Sequence, residues 1–123
     1  MLNEKIYVTW EEVTEFVNNV AKKVEEKGLN ISGVYGLPRG GLVLAVMLSH
    51  KLHVPMLMAP AANAIIVDDI ADSGRSLIHY TENDTQFNKF FIATMYYHPR
   101  SLVEPDYWIY NKEDNWIVFP WEV

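Results

Sequence analysis

Apolar and polar positions follow two periods along this chain, and the switches between the periods mark its elements. Thr9-Trp10-Glu11-Glu12 carries Thr at a helix N-cap and Glu at N3, the spacing of a capping box. Val13, Phe16, Val17, Val20, Ala21 and Val24 then recur at helical spacing, with Lys22, Lys23, Glu25, Glu26 and Lys27 left for water. Val8 and Val13 are placed to form the accompanying hydrophobic staple, and Gly28 ends the helix at C′. Ile31 to Gly36 reads as a strand, 36–41 as a glycine-rich turn, and Leu42 to Leu52 as a largely buried helix. Val54 to Met58 is the second expected strand and Ala64 to Asp69 the third, joined by a short connector, Ala59 to Asn63. A helix is expected from about Arg75 to Thr81, broken by Glu82-Asn83-Asp84-Thr85. Phe90 to Tyr97 and Asp106 to Tyr110 are the fourth and fifth strands; Asn111 to Asn115 is a polar turn before the closing Trp116 to Val123. Strands alternating with helices predict an α/β fold, a parallel sheet with helices on both faces, as one domain over 1–123. Ligands of such sheets sit outside the carboxyl ends of the strands.

Composition narrows the class without naming a reaction. Half of the 123 residues are hydrophobic, ample for a core. The formal charge of −6 disfavours a nucleic-acid partner. With no cysteine there is neither disulfide nor thiolate metal site. No run reaches the ~18 apolar residues of a membrane span, and the start, Met1-Leu2-Asn3-Glu4-Lys5, does not lead into a signal sequence. A cytoplasmic protein with no membrane partner is the expectation.

The richest chemistry lies in Ile65 to Leu77. An apolar, β-branched run ends in Asp68-Asp69; Asp72 follows, then the small, hydroxyl-bearing turn Ser73-Gly74-Arg75-Ser76. A strand, tight loop and helix start of this kind is where an α/β protein holds a phosphate, and the aspartates stand where a sugar on that phosphate would lie. The stretch resembles the ribose-phosphate motif of type I phosphoribosyltransferases, which bind phosphoribosyl pyrophosphate (PRPP). The resemblance implies that Asp68 and Asp69 accept from the ribose hydroxyls, with Asp69 the better Mg²⁺ ligand, although one of the pair can instead cap neighbouring backbone. Backbone N–H groups of Ser73, Gly74, Arg75 and Ser76, with the serine hydroxyls, would wrap the 5′-phosphate. Arg75 either adds charge there or faces solvent. Asp72 is the candidate acid–base residue near N7 of a purine; a helix N-cap is the other role its type favours. Pro38-Arg39-Gly40-Gly41 resembles the family's pyrophosphate loop, in which Arg39 and the Gly40 backbone meet phosphate oxygens, and there the Pro38–Arg39 peptide would be the cis bond.

The two ends of the chain extend the resemblance to bacterial and archaeal xanthine-guanine (6-oxopurine) phosphoribosyltransferases. Tyr7-Val8-Thr9-Trp10, Asp106-Tyr107 and Trp116-Ile117-Val118-Phe119-Pro120-Trp121-Glu122 carry it, the last as a small C-terminal hood. Trp116 would stack on a purine base, or plug the sheet; the Ile117 carbonyl would accept from the base, and Glu122 would approach the metal-pyrophosphate region. Trp121 reads as a hydrophobic plug or a dimer contact. Two departures stand out. Only Ala59 to Asn63 separates the second and third strands, which leaves no room for the family's flexible lid. The lysine that meets purine O6 after the fourth strand is replaced by His98-Pro99-Arg100, so His98, or Arg100, is the candidate there, the alternative being plain surface turn residues. The expected activity is a Mg²⁺-dependent purine phosphoribosyltransferase of nucleotide salvage, a homodimer or tetramer. The competing expectation is a lidless PRPP- or nucleotide-binding regulator with little turnover.

Overall fold

A computed structural model describes residues 4–81 and 89–122. Four parallel strands, β2 (Val34–Gly36), β3 (Ile65–Ala71), β4 (Phe91–Tyr97) and β5 (Tyr107–Asn111), form the main sheet in that spatial order. Because all four run the same way, their carboxyl ends share one edge. A separate two-stranded parallel sheet joins β1 (Lys5–Tyr7) to β6 (Trp116–Val118). It is the expected hood, and it draws its second strand from the N-terminal segment. Neither strand is legible in the sequence, since three residues are too few to show a period.

The helices cover both faces, as the alternation predicts. The first, α1 (Trp10–Glu26), is closed by the capping box: the Glu12 N–H donates to Thr9 Oγ1 at 3.1 Å and the Thr9 N–H to Glu12 Oε1 at 3.0 Å. Gly28 N–H bonds to Glu25 O and Leu29 N–H to Val24 O, the paired bonds of a Schellman end. The six apolar residues at helical spacing are all buried, each worth about 1.5–3 kcal/mol for a Val- or Phe-sized side chain. With α2 (Gly40–Leu52) they pack on Val34, Ile65, Val67, Ala93 and Met95. On the other face, α3 (Arg75–Thr81) sets Leu77 against Ile66 and Ile92.

Five expectations about the elements are corrected. The first strand, expected from Ile31, is shorter and starts at Val34. The second strand shrinks to one bridge, Val34 with Met56, fixed by Val34 N–H to Pro55 O (2.9 Å) and Leu57 N–H to Val34 O (2.8 Å). Pro55 has no N–H for a ladder and is tolerated only because this is the sheet's outer edge. The second helix is not largely buried: Leu42 and Val46 face solvent while Leu44, Ala45 and Leu48 face the core. The third strand does not end at Asp69 but runs on to Ala71, because Ile70 and Ala71 still pair with Tyr96 and Tyr97 of β4. The fifth begins at Tyr107, since Asp106 is engaged at the start of β4, where its Oδ2 accepts from Ile92 N–H. The expected break at Glu82 to Thr85 lies outside the described residues.

Candidate active site

The carboxyl edge gathers three adjoining cavities. One, of ≈ 610 Å³, is walled by Arg39, Gly40, Asp69, Trp121 and Glu122. The next, ≈ 280 Å³, lies between Asp69, Ile70, Asp72, Lys112, Trp116, Ile117, Phe119 and Glu122. A small third, ≈ 110 Å³, is ringed by Asp68, Asp72 and Ser73 to Ser76. Asp69 and Glu122 belong to the first two and Asp72 to the last two, so the three form one trough across the ends of β2, β3 and β5.

Neighbouring strand residues point to opposite faces, and this splits the aspartate pair. Asp68 looks towards the α3 side, where its charge is felt by the Tyr80 hydroxyl, itself pushed up to about 12, mainly by burial and then by Tyr35. Asp69 looks towards Arg39 and Glu122. Each also caps the next residue: Asp69 N–H donates to Asp68 Oδ1 at 2.9 Å, and Ile70 N–H to Asp69 Oδ1 at 2.8 Å. Burial, then the charge of Asp69, pushes the Asp68 carboxyl up to about 8. Asp69 is raised too, again chiefly by burial.

The turn between β2 and α2 is pressed onto β3. A Cβ at Gly40 would collide with the Asp69 carboxylate, and one at Gly41 with the Val67 carbonyl. The Pro38–Arg39 peptide is cis. Arg39 is exposed and borders the same cavity as Asp69.

Beyond β3, Gly74 has a φ of 76° and lies beneath residues 101–103, where a side chain would strike Ser101 and the Leu102 and Val103 N–H groups. Backbone bonds from His98 N–H to Ala71 O and from Leu102 N–H to Ser73 O, both 2.9 Å, strap the β4–β5 connection onto this turn. Ser73 Oγ accepts from Arg75 N–H at 3.3 Å. Arg75 and Ser76 are exposed.

Asp72 sits among cations. Arg100 donates to its Oδ1 from Nε (2.8 Å) and from the terminal nitrogen (2.7 Å), and Lys112 Nζ stands 3.4 Å from Oδ2. Burial alone would raise this carboxyl; the Arg100 hydrogen bond and the two positive charges outweigh it and hold the group below its ordinary value. Asp72 is therefore a carboxylate at neutral pH.

Trp116 is 69 % exposed, its ring free to take a flat ligand. Val118 O accepts from Val8 N–H, so the Ile117 carbonyl, one residue back, points to the unpaired edge of the hood. Trp121 stacks on Phe119 (centroids 5.0 Å apart) and meets Trp10 at 6.1 Å, the plug its position predicts, while also edging the first cavity. Glu122 Oε1 accepts from Phe119 N–H at 2.7 Å. His98 borders none of the three cavities; its Nδ1 accepts from Arg100 N–H at 3.0 Å, closing its own turn. Lys112 is the residue that sequence reasoning missed, placed in a polar turn with no local signal that its side chain folds inward.

This geometry has counterparts. A purine phosphoribosyltransferase from Pyrococcus horikoshii shares 30 % identity over 98 % of this chain and 95 % of its own, with a TM-score of 0.82. The chain belongs to the purine phosphoribosyltransferases. A xanthine-guanine-hypoxanthine phosphoribosyltransferase from Helicobacter pylori has the same fold at 21 % identity, covering 98 % of this chain and 95 % of that one, with a TM-score of 0.83. A xanthine-guanine phosphoribosyltransferase from Cereibacter sphaeroides is 26 % identical over 95 % of this chain and 86 % of its own. No family model matches the chain. No described helix is long and apolar enough to cross a membrane.

Proposed function

We propose that this phosphoribosyltransferase joins a 6-oxopurine to the ribose of PRPP, giving a nucleoside 5′-monophosphate and pyrophosphate, a salvage reaction. The observation that carries the proposal is the single trough in which a phosphate-sized pocket, a carboxylate pair, an arginine-glycine turn and an exposed indole meet.

The Ser73–Ser76 turn holds the 5′-phosphate with backbone N–H groups and two hydroxyls. Asp68 and Asp69 accept from the ribose diol. Arg39 offers its planar fork to the pyrophosphate, and the Gly40 backbone comes close because nothing projects from it. Trp116 stacks on the base, and the Ile117 carbonyl accepts one of its N–H groups. The base nitrogen bonds to C1′ as the C1′–O bond to pyrophosphate breaks, pyrophosphate taking the electron pair. The proton shed at N7 passes to the Asp72 carboxylate, whose lowered affinity for protons makes it an acceptor and not an acid. Fixed dipoles and positioning supply most of the acceleration.

Mg²⁺ fits this donor set. Asp69 and Glu122 present hard oxygen ligands to one cavity, which suits an ion held by one or two carboxylates, with water and substrate phosphates for the rest. When bound it neutralises charge on the departing pyrophosphate. The same reading carries a cytoplasmic location and a homodimer or tetramer, for which exposed Trp10, Leu42, Val46 and Leu102 supply apolar surface.

The test is pyrophosphate release from PRPP and Mg²⁺ with guanine, hypoxanthine, xanthine or adenine and with no base. Release that depends on a 6-oxopurine supports the transferase. Saturable PRPP binding with no release sinks it and leaves the nucleotide-binding regulator standing, the reading favoured by the short connector before β3.

A further inference from the structure

We propose that Lys112 and Asp72 together read the N7–C6 edge of the base, with the Lys112 ammonium on the exocyclic oxygen at C6, so that Lys112 sets the preference for 6-oxopurines over adenine. The inference rests on the transferase reading above and deepens it.

Lys112 is the one cation on the wall of the ≈ 280 Å³ cavity that also contains Trp116 and Ile117. Its side chain is only 14 % exposed, against 62 % for Arg100. Its position is set by the sheet: Lys112 N–H donates to Tyr97 O at 2.8 Å, continuing the β4–β5 ladder one residue past β5. The ammonium touches Asp72 Oδ2 at 3.4 Å and the Glu113 carbonyl at 3.3 Å, both long contacts, and it has three protons to give.

A carboxylate oxygen and an ammonium side by side form an acceptor–donor pair. A 6-oxopurine carrying its proton on N7 presents the complement on one edge: a donor at N7 beside an acceptor at O6. Adenine presents an amino group at C6 instead. That turns donor against donor, the kind of mismatch that discriminates strongly. Arg100 keeps Asp72 in register from the outer side through two hydrogen bonds to Oδ1, which leaves Oδ2 for the base. At the end of β4, His98 borders none of the three cavities and is tied to the Arg100 N–H.

The experiment compares Lys112→Met, Lys112→Arg and His98→Ala with the parent protein. It measures kcat/KM for hypoxanthine and adenine, and calorimetric binding of IMP and AMP, which needs no turnover. Lys112→Met is expected to lower kcat/KM for hypoxanthine and the affinity for IMP by roughly 10–100-fold. Adenine and AMP should change little, so the oxo/amino ratio collapses, and Lys112→Arg should restore part of it. Equal losses for both bases would make Lys112 merely structural and overturn the proposal. A ratio kept in Lys112→Met but lost in His98→Ala would hand the role to His98. If Lys112→Met does not fold, Lys112→Gln takes its place, read by the same ratio. Failure of the transferase reading looks different: the parent protein then binds PRPP but releases no pyrophosphate with any base, while the IMP/AMP comparison still decides the role of Lys112.

Discussion

Asp68 and Asp69 are held closer to neutrality than any exposed carboxylate would be, and the cause is burial more than mutual repulsion. An acid whose folded-state value is raised binds more protons folded than unfolded between the two values. Stability therefore falls as pH rises from the unfolded value near 4 to the folded value of about 8, and levels off above it. In chelator and without substrate, the melting temperature should drop by roughly 5 °C between pH 5 and pH 8. Asp68→Asn should remove most of that slope; a slope unchanged in the variant would mean the pair is not the source. Asp72, three residues past Asp69, is paired with Arg100 and Lys112 and stays ionised. Asp72→Asn should cost kcat about 10²–10³-fold while the KM for PRPP moves less than about threefold; a KM effect as large as the kcat effect would make it a binding residue only. Asp68, Asp69 and Asp72 were legible because they stand within one strand and its turn, where spacing along the chain is spacing in space. Lys112 was not, because its neighbour Asp72 follows a different strand and nothing in Asn111-Lys112-Glu113 signals an inward side chain.

At the scale of elements, capping and periodicity carried the helices: the Thr9–Glu12 box, the Schellman end at Gly28 and the six buried positions of α1 all stand in the sequence. Strand extent did not, because pairing partners decide it. Val54 to Met58 has strand composition but only one partner contact, while β1 and β6 have almost no pattern and exist because each is the other's partner. The turn from β2 into α2 shows how element packing reaches the chemistry. Gly41→Ala would push against the Val67 backbone, which cannot move without moving β3. It should cost about 1–3 kcal/mol in denaturant unfolding. Gly40→Ala meets the tip of Asp69 instead. It should leave stability within about 1 kcal/mol and weaken PRPP binding roughly tenfold by displacing that carboxylate. The reverse ranking, with Gly40→Ala the less stable of the two, would show that Asp69 is more firmly held than β3.

At the scale of the whole molecule, one short passage decides how open the site is. Residues 57–64 make the entire route from the edge bridge to β3, and the end of that route is stitched down. Ser32 N–H donates to Asn63 O, Ser32 Oγ to the Ala62 carbonyl, and Asn63 N–H to Lys89 O. These bonds hold Ala62 and Asn63 at the amino edge of the sheet, opposite the trough, and the few residues before them are too short a stretch to fold over a substrate as the lid of the resembling enzymes does. A closing lid keeps water from a reactive sugar centre and strengthens every charge interaction around it. Here the hood covers one flank of the trough: β6 is backed by β1, and Asn115 Nδ2 donates to the Glu4 carbonyl. The Arg39 flank is open and polar. Water should therefore compete with the base for C1′. With PRPP and Mg²⁺ alone, the protein should release pyrophosphate and ribose 5-phosphate at on the order of a tenth of its transfer rate, and saturating base should suppress that release. Hydrolysis below about a hundredth of transfer would mean that the trough is closed by another surface, and light scattering at the assay concentration would then be expected to find a second copy covering it.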